Sequence, residues 1–157
     1  MNIRLATSKD AESIFELIRE LAIYEKAEHE VMCSAAELRT NLFGPNTKAF
    51  AIIAEQDNTV LAYAVYFYNY STWLGKNGIY LEDVYVKPEY RKQGIGKAII
   101  KYVARIAVKE NCGRLEWAVL DWNTPAIEFY ESLGARPQDE WITYRLSGKN
   151  LLQFASD

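Results

Sequence analysis

A short basic turn with two glycines, placed between a strand pattern and a helix pattern, is the clearest candidate for chemistry in this sequence. Within Leu81–Ile100, Arg91 stands three residues before Gly94, and Gly96 follows two residues later. Backbone N–H groups at such a turn and the positive end of the helix dipole both favour a bound anion. Because Lys97 and neighbouring cations add positive charge, the spacing predicts a phosphate-binding turn.

Two familiar phosphate motifs are excluded by residues at fixed positions of this turn. A Walker A loop requires a glycine where Arg91 stands, and a dinucleotide fingerprint requires a third glycine where Ile99 stands. The remaining pattern is Arg91 followed by Gly94 and Gly96, and it leaves the identity of the anion open.

Two carboxylates, Glu82 and Asp83, interrupt the apolar strand just before the turn. Strict alternation places one side chain on each face of the sheet, so at least one can point away from bulk solvent. Such a carboxylate is a candidate general base, or an anchor for an ammonium group. A pair of surface charges on an edge strand explains the same residues equally well.

Further polar and aromatic residues could complete a site. Asn123 and Tyr130 lie seven residues apart, across two turns of a predicted helix. A tyrosine in such a pattern is more often part of a core, but its phenol can also donate a proton to a leaving group. Tyr24, Glu25 and Trp73 could line a pocket for a cation.

Composition limits the class of protein. A chain of 157 residues, half hydrophobic and a quarter charged, predicts one folded domain with its own core. The formal net charge of -3 argues against a nucleic-acid binder. Cys33 and Cys112 cannot form a secreted disulfide framework, and the single His29 leaves no histidine cluster for a metal. Without a signal-peptide pattern or an apolar run near the roughly 18 residues that span a membrane, we expect a cytoplasmic protein.

Hydrophobic periodicity and turn residues predict alternating strands and helices. The predicted strands are 2–6, 48–55, 59–70, 79–87, 114–121 and 141–146. The predicted helices begin after capping boxes at Thr7 and Ser34, at Ile95 and at Thr124, and they end near Tyr24, Gly44, Glu110 and Gly134. This pattern predicts a single α+β domain over residues 1–157.

The turn and its surroundings resemble a known superfamily. Arg91-Lys92-Gln93-Gly94-Ile95-Gly96, a long helix, a strand, and then Asn123–Tyr130 with Leu133-Gly134-Ala135 resemble the GNAT superfamily of acetyl-CoA-dependent N-acetyltransferases. From Ile3 to Ala135 the chain is similar to the diamine (spermidine/spermine) N-acetyltransferase subfamily, and the residues that carry this likeness are Leu17–Glu25, Trp73-x-Gly75-Lys76 and Tyr80-Leu81-Glu82-Asp83. The resemblance implies a central, mostly antiparallel mixed sheet flanked by helices and splayed between the strands at 79–87 and 114–121.

The resemblance also narrows the expected substrate. Ser71 and Thr72 precede Trp73, whereas polyamine-acetylating members carry Asp-Pro there, and with Ala118–Asn123 this resembles the thialysine N-ε-acetyltransferase branch. Losing an acidic side chain weakens attraction for a multiply cationic polyamine. We therefore expect acetylation of a side-chain amine in a lysine-like amino acid such as thialysine. The alternatives are polyamine acetylation and, from another class, a non-catalytic CoA-binding domain.

Roles for individual residues follow from the resemblance. Residues assigned to acetyl-CoA are Val84, Tyr85, Val86, Arg91, Lys92, Gln93, Gly94, Ile95, Gly96, Lys97, Asn123, Ala126 and Tyr130. Residues assigned to the amine are Tyr24, Glu25, Trp73, Glu82 and Asp83. Tyr130 is also assigned as the general acid and Glu82, acting through water, as the base. Direct attack in a ternary complex needs no covalent enzyme intermediate and no metal, and the family implies a homodimer with substrate pockets near the subunit boundary.

Overall fold

The computed structural model describes residues 1–156, which fall into two units. The first unit is Met1–Ala118 and the second begins at Val119. Each unit is described by itself below. Across residues 1–156, no helix has the length and apolar character that a membrane span requires.

A five-stranded sheet forms the centre of the first unit, in the spatial order β1-β2-β3-β4-β5. The strands are β1 (Asn2–Leu5), β2 (Ala49–Gln56), β3 (Thr59–Ser71), β4 (Lys76–Val86) and β5 (Leu115–Trp117). The pairs from β1 to β4 are antiparallel, whereas β4 and β5 are parallel. The mostly antiparallel mixed sheet expected from the sequence is confirmed.

The hairpin between β2 and β3 is explained by its two turn residues. Asp57 and Asn58 have φ angles of 51° and 62°. Two consecutive residues with positive φ match the twist of flanking strands in a two-residue hairpin, and Asp and Asn tolerate this conformation. The register of the hairpin, with Gln56 opposite Thr59, follows from this turn.

Three helices belong to the first unit: α1 (Ala11–Tyr24), α2 (Ala35–Phe43) and α3 (Ile95–Lys109). Both predicted capping boxes form. The Asp10 carboxylate accepts hydrogen bonds from the Thr7 N–H group and hydroxyl, at 2.7 and 2.9 Å. Glu37 accepts from the Ser34 N–H group at 2.8 Å, and its own N–H donates to the Ser34 hydroxyl at 3.2 Å.

Both faces of the sheet are covered. The side chains of Ile14 and Leu17 on α1 pack with Ile53 and Tyr63 in a buried cluster that also includes α2 residues. Burying each such Ile or Leu stabilises the fold by about 1.5–3 kcal/mol. Ala64 follows Tyr63 in β3, so its side chain lies on the opposite face of the sheet, and it is equally buried. The remaining helix of this unit, α3, packs against β2, β3 and β4.

The sheet splays after its first few β4–β5 pairs. The register joins Ile79, Tyr80 and Leu81 of β4 to the whole of β5, whose last partner is Trp117. β4 then continues to Val86 without a partner in β5. The splay expected between the strands at 79–87 and 114–121 is present, but β5 is much shorter than the predicted strand 114–121.

In the second unit, α4 (Thr124–Ser132) is confirmed, and α5 (Gly148–Phe154) falls where the sequence predicted only a tail. The strand predicted at 141–146 is wrong, because these residues are described without strand structure. Ile142 and Tyr144 are 79% and 92% exposed. β-Branched and aromatic residues favour a strand only where a neighbouring strand and a packed face receive them.

Candidate active site

A β-bulge in β4 positions the two candidate carboxylates. Val65 of β3 pairs with Asp83, but the next residue, Tyr66, pairs with Leu81, so Glu82 is the additional residue. A bulge interrupts the alternation of side chains and redirects the strand. The expectation of strict alternation, with one carboxylate on each face, is therefore wrong at this point.

The two carboxylates lie in different environments. Glu82 is exposed, whereas Asp83 is partly buried and its Oδ2 accepts a hydrogen bond from the fully buried Tyr63 hydroxyl at 3.0 Å. Burial is the largest cause that raises the pKa of Asp83, to about 6; the Tyr63 hydrogen bond acts in the opposite direction, and the negative charges of Glu82 and Glu25 add to the rise. Asp83 therefore changes its charge close to neutral pH.

The end of α1 contributes a third carboxylate. Glu25 follows the last residue of the helix, and burial raises its pKa as well. Its charge also acts on Asp83 and on Tyr63, which shows that these groups belong to one electrostatic neighbourhood. A group of carboxylates with raised pKa values can bind an ammonium ion and accept a proton from it.

The glycine turn has the backbone geometry of an anion site. Lys92 and Gly94 have φ angles of 61° and 80°, and α3 begins directly afterwards at Ile95. The first bond into the helix runs from the Ala98 N–H group to the Gly94 carbonyl, at 2.9 Å. The N–H groups of Ile95–Lys97 therefore precede the helical hydrogen-bond ladder and are oriented towards the helix N-terminus.

The two glycines of the turn serve different purposes. A side chain at Gly94 would meet nothing within 4 Å, so glycine is favoured there by the positive φ alone. Gly96 lies inside the first turn of α3, where glycine costs roughly 0.5–1 kcal/mol relative to alanine. The lack of a side chain at this position suits the close approach of a phosphate to the first-turn amides.

The backbone of Val84, Tyr85 and Val86 is paired with another strand on one side only. These residues pair with Ala64, Tyr63 and Ala62 of β3, and β5 has already ended on the other side. A strand edge of this kind can hydrogen-bond an extended, amide-bearing ligand in the way it would accept another strand. One turn of 3-10 helix, Pro88–Tyr90, connects this edge to the glycine turn.

Arg91 makes contacts that the sequence did not predict. Its Nε–H donates to the Val86 carbonyl at 2.9 Å. The guanidinium carbon lies 5.0 Å from the ring centre of Tyr24 and 5.3 Å from that of Tyr85. The Tyr85 hydroxyl in turn donates to Glu20 Oε2 at 3.1 Å.

Two of these residues were missed by the sequence reasoning. Tyr63 lies inside a strand rich in Val and Tyr, and only the observed register places its hydroxyl beside Asp83. Glu20 carried a usable signal, because it precedes Tyr24 by one helical turn on α1 and therefore lies on the same face.

Trp73 is not brought together with the other residues assigned to the amine. It lies 88% exposed in the turn between β3 and β4, where the Ser71 hydroxyl accepts a hydrogen bond from the Leu74 N–H group at 3.2 Å. Asp83 lies seven residues along β4 from Lys76, the first residue after that turn. At the rise of an extended strand this is a separation of roughly 20 Å.

Asn123, Ala126 and Tyr130 all belong to the second unit. Asn123 immediately precedes α4, and its carbonyl accepts from the Ala126 and Ile127 N–H groups at 3.1 and 3.0 Å. Tyr130 is half-buried two turns later, with its ring centre 5.4 Å from that of Phe129. Asn123 therefore lies at the start of the helix that carries Tyr130, as the sequence predicted.

Comparisons with known proteins agree with this architecture. The model of the acetyltransferase (GNAT) family matches residues 11–135. Thialysine N-epsilon-acetyltransferase of Sus scrofa is 43% identical over 98% of this chain and 96% of its own length. Spermidine/spermine N(1)-acetyltransferase-like protein 1 of Homo sapiens is 32% identical over 98% of this chain and 23% of its own length.

A solved structure shows the same fold. An integron cassette protein from the mobile metagenome of V. cholerae superposes with a TM-score of 0.83, covers 99% of this chain and 98% of its own, and is 27% identical. The splayed sheet, the glycine turn and the match over residues 11–135 lead to one conclusion: the chain belongs to the GNAT family and is an acetyltransferase.

Proposed function

We propose that this enzyme transfers an acetyl group from acetyl-CoA to the side-chain amine of a small, lysine-like amino acid such as thialysine. The observation that carries the proposal is the carboxylate neighbourhood of Glu25, Glu82 and Asp83, located on and beside the strand that leads into the glycine turn. The first unit therefore contains both carboxylates that can bind a cation and accept a proton, and a turn that can bind an anion.

The residues present fit acetyl-CoA, the acetyl donor of this family. The amides of Ile95–Lys97 and the exposed Lys92 suit the pyrophosphate, and the edge of Val84–Val86 that no strand pairs suits the pantetheine arm. Asn123 and Ala126 are assigned to the same ligand on the family resemblance alone. When bound, acetyl-CoA supplies an acetyl group already activated as a thioester.

The protein groups must handle two protons. The amine arrives mostly protonated near neutral pH, because its pKa is about 10 by the lysine reference value. We assign Glu82 to accept that proton through water, and the ionised Asp83, Glu25 and the Tyr24 ring to hold the substrate. Tyr130 donates a proton to the departing sulfur, and the second proton that the nitrogen loses as the amide forms restores the phenol. Direct attack by the amine needs no covalent enzyme intermediate.

The preference for an amino acid over a polyamine rests on Ser71 and Thr72. No acidic side chain occupies these positions, and the Ser71 hydroxyl is engaged in its own turn. A polyamine gains less from such a site than from one with an added carboxylate, because Coulomb attraction scales with the product of the charges. Polyamine acetylation is the second candidate function, supported by the similarity to the spermidine/spermine-related protein.

An amine panel tests the substrate. We expect kcat/KM to be at least roughly tenfold higher for thialysine or lysine than for spermidine, a difference of about 1.4 kcal/mol in transition-state binding. The measurement is release of free CoA thiol with thialysine, lysine, ornithine and spermidine at saturating acetyl-CoA. A clear preference for spermidine would contradict the amino-acid assignment, and thiol release with none of the amines would contradict the proposed reaction.

We also propose that residues 1–157 act as one domain in a cytoplasmic homodimer. The family match runs across the boundary at 118 and 119, which supports a single domain. Both cysteines are free thiols, which suits a reducing compartment. Large apolar side chains are exposed in the second unit, which suits an interface with another chain; they are Trp141, Ile142, Tyr144, Leu152 and Phe154.

Light scattering tests the homodimer. We expect a molar mass twice that of one chain, and we expect Ile142→Asp to shift the population towards the monomer, because it places a charge on the exposed apolar surface. Val108→Asp is the matched control, since Val108 is an exposed apolar residue on α3 outside that surface. A monomeric native protein at micromolar concentration would exclude the proposal.

A further inference from the structure

Arg91 lies between two tyrosine rings contributed by different elements of the first unit. Its guanidinium carbon is 5.0 Å from the ring centre of Tyr24, at the end of α1, and 5.3 Å from that of Tyr85, on β4. Both distances are within the roughly 6 Å over which a guanidinium is attracted to an aromatic face. We call Tyr24, Arg91 and Tyr85 the arginine sandwich.

One side of the arginine sandwich is held firmly. Tyr85 is buried, and its hydroxyl donates to Glu20 Oε2 at 3.1 Å. The Arg91 Nε–H group donates to the Val86 carbonyl at 2.9 Å, which fixes the plane of the guanidinium against β4. A planar guanidinium stacks and hydrogen-bonds at once, whereas a lysine ammonium cannot reproduce this geometry.

The other side of the arginine sandwich is less deeply buried. Tyr24 is the last residue of α1 and is 38% exposed, so the core holds it less tightly than Tyr85. The next residue, Glu25, shares the electrostatic neighbourhood of Asp83. The contact with Arg91 therefore acts on the tyrosine that directly precedes this neighbourhood.

We propose that Arg91 is a positioning residue for the amine site, which holds Tyr24 in place for the substrate. This proposal rests on the proposed function, since it assigns Tyr24 to the amine. This role is additional to the one that the family resemblance implies for Arg91 at the pyrophosphate. It also joins the glycine turn to the amine site through one side chain.

The substitution Arg91→Lys separates the two roles because it keeps the positive charge. We expect the KM for the amine to rise roughly tenfold, within the range that a lost cation–π contact allows. The Kd of acetyl-CoA, measured by calorimetry, should stay within about twofold, since a point charge remains near the turn. Arg105→Lys, at an exposed arginine of α3, is the matched control.

A double-mutant cycle shows whether Arg91 acts through Tyr24. Tyr24→Leu should raise the amine KM, and adding Arg91→Lys to it should raise that KM little further, because the contact is already lost. Additive effects would overturn the proposal. So would an Arg91→Lys enzyme whose acetyl-CoA Kd rises while its amine KM stays unchanged, or one in which both rise equally.

A spectroscopic measurement tests the contact without any assay of activity. In protein labelled with ¹³C in its tyrosine rings, the Tyr24 resonance, assigned with Tyr24→Phe, should shift in Arg91→Lys and stay in place in Arg105→Lys. If the native enzyme acetylated no amine, the proposed function would fail while this shift still reported on the arginine sandwich. An unchanged Tyr24 resonance would overturn the sandwich itself.

Discussion

Replacing Tyr130 by phenylalanine is expected to lower kcat by roughly 100-fold or more, the contribution typical of a general acid. The ring and its packing beside Phe129 are retained, so only the hydroxyl is lost. The departing thiolate then leaves without a proton from the enzyme. The measurements are kcat with the best amine of the panel and the Kd of acetyl-CoA, and the Kd should change little.

The control for this loss is the same substitution at a tyrosine without a proposed role. Tyr70→Phe is suitable because Tyr70 is exposed near the end of β3. We expect this variant to keep native turnover. If Tyr130→Phe also turned over at the native rate, the sulfur would take its proton from solvent or another group, and the role assigned to Tyr130 would be wrong.

Local signals in the sequence predicted most of the fold. The capping boxes at Thr7 and Ser34 and the Asp57-Asn58 turn satisfy backbone groups within a few residues, so their effect does not depend on distant parts of the chain. The long apolar stripe of α3 is equally self-contained. Elements with such signals were confirmed.

Elements that depend on distant partners were predicted less well. β5 is only as long as its pairing with Ile79–Leu81, and nothing within 114–121 marks where that pairing stops. Residues 141–146 have strand-like composition, yet without a strand beside them this composition has no effect. The bulge at Glu82 belongs to the same class, because it is a mismatch between two strands and not a property of either one.

The candidate site follows the same rule. Glu82, Asp83 and Glu25 were found because charged residues stand out beside apolar positions. The hydroxyl of Tyr63 beside Asp83 could not be found in this way, since pairing across β3 and β4 creates the contact. As a result, the sequence identified the carboxylates but not which of them has the strongly raised pKa.

The pH dependence of the reaction is expected to depend on Asp83. Its pKa of about 6 means that it is ionised above that pH and neutral below it. If the ionised form holds the ammonium substrate, kcat/KM should rise with pH through about 6, with a separate rise at higher pH as the amine itself loses its proton. Asp83→Asn should remove the step near pH 6 and retain the second one. It should also lower kcat/KM at pH 8 by roughly tenfold or more, because a charged contact is lost.

Two substitutions that leave Asp83 in place should move this step in opposite directions. Tyr63→Phe removes a hydrogen bond that lowers the pKa of Asp83, so the step should move to higher pH. Glu82→Gln removes a neighbouring negative charge that raises this pKa, so the step should move to lower pH, and the rate should fall at every pH if Glu82 accepts the amine proton.

Opposite shifts would identify Asp83 as the titrating group, because neither variant alters its own carboxyl. If the step instead vanished in Glu82→Gln and persisted in Asp83→Asn, the titrating carboxylate would be Glu82, and the buried Asp83 would serve only to orient Tyr63. Glu82 and Asp83 are adjacent in sequence, so their positions alone do not show which of them titrates in this step. The direction in which the step moves in each variant distinguishes the two carboxylates.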